Sequence, residues 1–172
     1  MVNNEIYEIY AIKYAHSERR TGDNFIGGDA HDGPMPLDYF VWAITNKKRT
    51  IILDTGFSLD TAKIRGREYL RNPGVGLGMI GIEPSKIKNV IISHMHYDHS
   101  GNEKLFPNAI YHLQDSEMAF CTGRNMCHEA INHPFSEDDV VAMVRRVFAG
   151  RVKFHDGTSE LAPGVTLHRV GG

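Results

Sequence analysis

Hydrophobic and polar positions along this chain form short apolar runs broken by turn residues, with helical spacing in between. EIYEIYAIKYA (5–15), dense in Ile and Tyr, reads as a strand. A run of Gly, Asp and Pro, TGDNFIGGDAHDGPMP (21–36), reads as a long loop. LDYFVWAIT (37–45) resumes as a mostly buried strand, and NKKR turns the chain. TIILDTG (50–56) follows as a second, very apolar strand, so the two are expected to pair as a hairpin. SLDTAKIRGREYLR (58–71) sets good helix formers behind the candidate caps Ser58 and Asp60, with Gly66 as a flaw in the pattern. A short turn of helix near Pro84 then precedes a buried strand over 89–93.

Further on, NAIYHLQ (108–114) reads as a strand, and DSEMAFCTG (115–123) opens a helix with Asp115 or Ser116 as its cap. SEDDVVAMVRRVFAG (136–150) is the clearest helix. Ser136 caps it, acids fill its first turn, Arg145 and Arg146 sit near its end, and Gly150 stops it. Short β pieces occupy 151–172. Hairpin-paired strands followed by strands mixed with helices predict an α/β (α+β) class, with helices packed on the outer side of a sheet. No internal repeat, low-complexity tract or linker divides the sequence, so residues 1–172 read as one domain.

Composition narrows the function classes. A chain of 172 residues, 41% hydrophobic and 23% charged, can build a real core and excludes disorder. A formal charge of −2 with scattered basic residues argues against a nucleic-acid surface. No apolar run approaches the ~20 residues of a membrane span, and MVNNEIYEIY lacks the basic-then-apolar form of a signal peptide. No membrane partner is expected, and a cytoplasmic location is the default. Cys121 and Cys127, in CTGRNMCH, have the wrong spacing for a zinc knuckle and read as two reduced thiols in or near a helix.

GLGMIG (76–81) satisfies G-x-G-x-x-G, but a dinucleotide site needs a strand before those glycines and a helix N-terminus after them. A helix ending in RNPGV precedes here and Glu83-Pro84 follows, so the segment reads as a flexible loop near the active site.

The chemistry concentrates in SHMHYDH (93–99), where three histidines and an aspartate occupy six positions. Imidazole and carboxylate are costly to bury without partners, and the segment directly follows a buried strand. In extended backbone alternate side chains share a direction, so His94 and His96 can converge on one point while Met95 faces the other side. The run Asp-His-Ser-Gly-Asn predicts a bend, swinging Asp98 and His99 toward a second point a few ångströms away. Two adjacent metal positions result. Imidazole suits zinc, iron or manganese, and a carboxylate adds charge without sealing the site.

The motif His94-Met95-His96-Tyr97-Asp98-His99 resembles that of the metallo-β-lactamase superfamily. IILDTG upstream and GIEPSKIKNVIISHMHYDHSGN extend the resemblance. HDGPMPLDYFVWAI, YHLQDSEMAF and FHDGTSELAPGVTLHRVGG are most similar to its N-acyl-homoserine-lactonase-like branch. The resemblance implies an αββα sandwich with His94 and His96 on a first metal and Asp98 and His99 on a second. It makes Asp54 a carboxylate that orients a ligand histidine. It also implies a third histidine after a Gly-Gly pair such as Gly171-Gly172, with a bridging aspartate and a last histidine later still. On that comparison residues 1–172 are an N-terminal half, expected to bind metal poorly alone and to expose an apolar sheet face.

The expected reaction is metal-dependent hydrolysis of a lactone or related ester, with two zinc ions (iron or manganese as substitutes) holding a bridging hydroxide. Asp98 is the candidate catalytic residue, steering the hydroxide and relaying its proton. Competing readings are an iron-dependent oxidoreductase of the same superfamily, a non-catalytic binding protein of this fold and a nucleic-acid-processing hydrolase. Oligomeric state is open. His31 and Asp32 are candidates for the pocket border, and MCHEAINHPF (126–135), with His128 and His133, for part of a lid. His112 and His155 read as structural.

Overall fold

The computed structural model of the protein describes residues 5–25 and 27–171. The first four residues of the stretch read against a signal peptide, Ile26 of the long loop and Gly172 of the closing glycine pair lie outside that description. β1 (Glu8–Ser17) is followed by α1 (Thr21–Asn24), one turn of helix inside the Gly/Asp/Pro loop. β2 (Leu37–Thr45) and β3 (Thr50–Leu53) form the expected antiparallel hairpin. Next come α2 (Leu59–Arg65), the two-residue strand β4 (Glu68–Tyr69) and α3 (Pro73–Met79). β5 (Asn89–Ile91) leads through α4 (Tyr97–Ser100) to β6 (Ile110–Gln114). Then α5 (Asp115–Cys121), α6 (Glu129–Asn132) and α7 (Glu137–Phe148) carry the chain to β7 (Val152–His155). The hairpin of β8 (Thr158–Ala162) and β9 (Val165–His168) follows.

Seven strands make one sheet in the order β4-β1-β2-β3-β5-β6-β7. Pairing is antiparallel from β4 to β3 and parallel from β3 to β7. The period of two sorts the side chains between two faces. Tyr14, Val41, Ile52, Val90 and Tyr111 are buried on the face that the helices cover, with Phe57, Phe106 and Met143 between the layers. On the opposite face Ile51 and Ile91 lie under Leu161, Val165 and Leu167 of the β8–β9 hairpin. The hairpin covers only part of that face. Ile9 is 66% exposed and Trp42 37% exposed on the strands beside it.

Three local expectations are corrected. Gly66 does not interrupt a longer helix but ends α2: it sits at φ 63°, where its amide reaches the carbonyls of Ala62 and Lys63. GLGMIG is not a loop, because its first four residues belong to α3, which Asn72 caps through the Gly74 amide with Pro73 at the first position. Gly76 is there for packing, since a methyl group at this position would collide with Ile12 of β1. Finally, neither Asp115 nor Ser116 caps α5. The strand runs straight into the helix with Gln114 at the boundary and no side-chain cap bond.

Candidate functional site

The parallel strands β3, β5, β6 and β7 end on one edge of the sheet, where open α/β sheets bind their ligands. Asp54 follows β3, Ser93 and His94 follow β5, Gln114 ends β6 and His155 ends β7. Asp54 is 4% exposed and, among the described residues, the one non-glycine residue with positive φ (62°). Its carboxylate accepts three hydrogen bonds: from the Ser93 amide at 2.8 Å, the Ser93 hydroxyl at 2.9 Å and His99 Nδ1 at 2.7 Å. The β3 loop is also tied to α4. The Thr55 amide donates to the His99 carbonyl at 2.7 Å, and the Tyr14 hydroxyl donates to the Asp98 carbonyl at 2.9 Å.

Alternation along 94–96 works as extended backbone requires. Met95 is wholly buried in the core, while the His94 and His96 rings stand 4.4 Å apart on the other side. The bend at Tyr97 becomes α4 and brings the His99 ring to 3.9 Å from that of His94. Asp98 Oδ2 lies 3.4 Å from His99 Nε2. All four motif side chains and Asp54 therefore gather at one place.

The proton arrangement follows from the hydrogen bonds. The Ser93 hydroxyl donates its hydrogen bond to Asp54, so His94 Nδ1, 3.0 Å away, is the donor to Ser93 Oγ. That leaves His94 Nε2 as the lone-pair nitrogen. Burial lowers the pKa of His94, helped by the neighbouring His99, and lowers that of His96, helped by His94. Burial opposes ionisation of Asp98, but the His99 hydrogen bond and charge overcome it and hold the carboxyl below its usual range. Burial likewise opposes charge on His99, yet the bonds to Asp54 and Asp98 push its pKa up to about 10.

Neutral imidazoles with a free lone pair beside ionised carboxylates are the donor set of a divalent metal, and on that chemistry the residues fit one. The count falls short: among the described residues no three His, Cys, Asp or Glu side chains converge as a metal-holding group. Both His99 nitrogens are taken up by Asp54 and Asp98, which explains why that pair does not present a free coordination point.

The motif opens on a cavity of about 620 Å³. His94 and His96 form one end of it, Phe120, Ile131 and Phe135 an apolar wall, and Arg169 supplies a cation. Glu117, also in the lining, accepts the Met95 amide at 2.7 Å and so pins the backbone between the two histidines. The sequence reading missed Glu117, Phe120 and Arg169, although an acid two residues into a helix that starts at a strand's carboxyl end was the available signal for Glu117.

Other candidates fall elsewhere. Asp32 accepts bonds from Arg20 (2.6 Å), the Thr21 hydroxyl and the Gly22 amide, holding its own loop together, and neither it nor His31 lines the cavity. The lid segment does reach the site, but through Ile131 and Phe135 rather than His128 or His133. Cys121 and Cys127 are free thiols, the first buried at the end of α5. His112 and His155 have structural roles as a hydrogen-bonded pair at 2.9 Å.

A sheet with helices on one face, a hairpin on the other and a histidine motif at its carboxyl edge defines the metallo-β-lactamase-like class of fold. Residues 35–114 match the family model described as the metallo-beta-lactamase superfamily, and the resemblance read from the motif holds in family model and in fold. A quorum-quenching N-acyl homoserine lactone lactonase is similar with a TM-score of 0.73 at 18% identity, over 98% of this chain and 64% of that one. A probable metal-dependent hydrolase from Staphylococcus aureus gives 0.71 at 16% identity, over 96% and 65%. A dizinc quorum-quenching lactonase solved with a product gives 0.58 at 18%, over 92% and 64%. The chain thus spans about 64% of the length of the first of these lactonases. No helix among the described residues is long and apolar enough to cross a membrane.

Proposed function

We propose that this chain carries the metal motif of a metal-dependent hydrolase that opens a lactone or related ester of the acyl-homoserine-lactone kind. One observation carries the reading: His94, His96, Asp98 and His99 gather at the carboxyl edge of the sheet, at the end of a cavity whose other wall is apolar. The solved lactonases that share the fold support the substrate class.

His94 and His96 would hold one ion, and Asp98 and His99 a second, with zinc as the first candidate. Such ions supply Lewis acidity, lowering the pKa of water and polarising a carbonyl. Four donors give two per ion against the three plus water of a catalytic zinc, so a full complement needs donors besides these. Asp54 accepts the hydrogen bond of His99 Nδ1, so that Nε2, now turned to Asp98, would be the nitrogen to coordinate once it gave up its proton. Ser93 does the same for His94. Asp98, ionised and beside His99, would accept a proton from the attacking water at its carboxylate and return it to the leaving alkoxide. Phe120, Ile131 and Phe135 exclude water and accept the apolar part of the substrate.

The test pairs zinc binding with turnover of a lactone panel. His96→Ala is expected to lose zinc in competition with a chromogenic chelator. Asp98→Asn is expected to lower zinc-dependent lactone hydrolysis by roughly 10²-fold or more. Zinc bound by the wild type and retained undiminished in His96→Ala and Asp98→Ala would overturn the assignment.

A further inference from the structure

His94 and His99 are each tied down by a hydrogen bond, to Ser93 and to Asp54. His96 differs. Among the described residues no hydrogen bond holds its ring, whose aromatic neighbour besides His94 is Phe135, with ring centroids 4.7 Å apart and planes at 87°. The backbones of the two residues form an isolated antiparallel bridge, and the Tyr97 amide donates to the Pro134 carbonyl at 2.9 Å. Whatever fixes residues 133–135 therefore fixes His96.

Arg65 does so. It is the last residue of α2, and its guanidinium donates to the His133 carbonyl at 2.8 Å and to the Phe135 carbonyl at 3.0 Å. The same group stacks 4.1 Å above the Tyr97 ring. One planar cation thus grips the lid segment on two carbonyls and the motif on an aromatic face, a task that suits a guanidinium fork and not a lysine ammonium.

We infer that Arg65 is a positioning residue: it acts through Phe135 to set the orientation of the His96 ring and the place of the Phe135 wall in the cavity. The inference rests on the reading of His96 as a metal ligand for its functional meaning, but its geometry is tested without metal or turnover. Among the described residues the hydrogen bond from Arg65 to the apolar wall runs through the Phe135 carbonyl, so its effect should reach the cavity by way of this segment and of the Tyr97 ring beside His96.

The experiment compares Arg65→Ala, Arg65→Lys and Phe135→Leu with Arg151→Ala, by amide exchange and by histidine ring resonances in NMR. Arg151 is the control, since it binds the Pro107 and Ala109 carbonyls in a similar manner, away from the motif. In Arg65→Ala the Tyr97 amide should exchange roughly tenfold faster or more, as expected when a local bond opens. The His96 ring protons should lose the ring-current shift given by Phe135. Arg65→Lys should show the same changes to a smaller degree, which keeps the test alive if the alanine variant does not fold. Phe135→Leu should move the His96 resonances while leaving Tyr97 exchange slow. Unchanged Tyr97 exchange and His96 resonances in Arg65→Ala would overturn the inference, as would equal changes in Arg151→Ala. Retention of zinc by His96→Ala would instead sink the functional reading and leave these two readouts to decide the role of Arg65.

Discussion

Three hydrogen bonds converge on the buried carboxylate of Asp54, and its backbone sits in the left-handed region that side chains other than glycine rarely adopt. The strain is tolerated because those bonds hold it. Asp54→Ala should leave the Ser93 amide and His99 Nδ1 without acceptors while keeping the backbone strain, costing about 3 kcal/mol. Asp54→Gly loses the same bonds but relaxes the φ angle, recovering about 1 kcal/mol. Asp54→Asn, which keeps an acceptor for Ser93, should be milder than either. Urea unfolding of the set checks the order, and a glycine variant no more stable than the alanine one would remove strain from the explanation. At this scale the motif was legible because alternation and a bend are local properties of seven consecutive residues. Arg65, Phe135 and Glu117 were not, because each meets the motif across 22 or more residues of sequence, as the Met95–Glu117 bond does, and periodicity carries no such information.

Among the elements, α3 shows most sharply where a sequence pattern misleads. Its glycines look like a phosphate cradle or a breaker, yet they lie in a capped helix that packs on β1. The reason is tertiary: only the absence of a Cβ at Gly76 lets the helix approach Ile12. Gly78, two residues on, faces open space. Helix propensity alone predicts that alanine stabilises both positions by up to about 1 kcal/mol. The packing predicts opposite signs. Gly78→Ala should stabilise by that amount, whereas Gly76→Ala should destabilise by about 1–3 kcal/mol through overpacking. Ile12→Ala should relieve much of the second penalty in the double variant, a coupling that a thermodynamic cycle measures directly. Elements set by local chemistry, such as α7 with its Ser136 cap and acidic first turn, matched expectation, while the end of α2 at Gly66 required knowing that the chain turns there to form β4.

At the scale of the molecule, the two faces of the sheet are held differently. The helical face is a continuous apolar core, but the β8–β9 hairpin docks on the other face with a small apolar cluster and a polar chain. In that chain Ser159 donates to His155 Nδ1 (2.7 Å), His155 Nε2 donates to His112 Nδ1 (2.9 Å) and His112 Nε2 donates to Asn89 Oδ1 (3.0 Å). Every donor meets an acceptor only if both rings are neutral, since an imidazolium has no lone pair to offer. Burial, then the His155 ring, then the charge of Lys153 push the pKa of His112 down to about 4, and burial followed by Lys153 lowers that of His155. In the unfolded chain both titrate near the ordinary histidine value of about 6.5. Between those values the unfolded state binds the additional protons, so the contribution to stability is complete above about pH 6.5 and drains as the pH falls toward about 4. For His112, 4% exposed, the full loss is on the order of 3 kcal/mol. Urea unfolding of wild type and His112→Gln across this range should show a steep decline in the first and a shallower one in the second, by up to one proton in the linkage slope. The hairpin amides should lose exchange protection before those of β5 and β6, because the apolar cluster beneath the hairpin is too small to hold it once a ring is charged. Equal slopes in the two proteins would mean that the histidine pair does not set the acid limit of this fold.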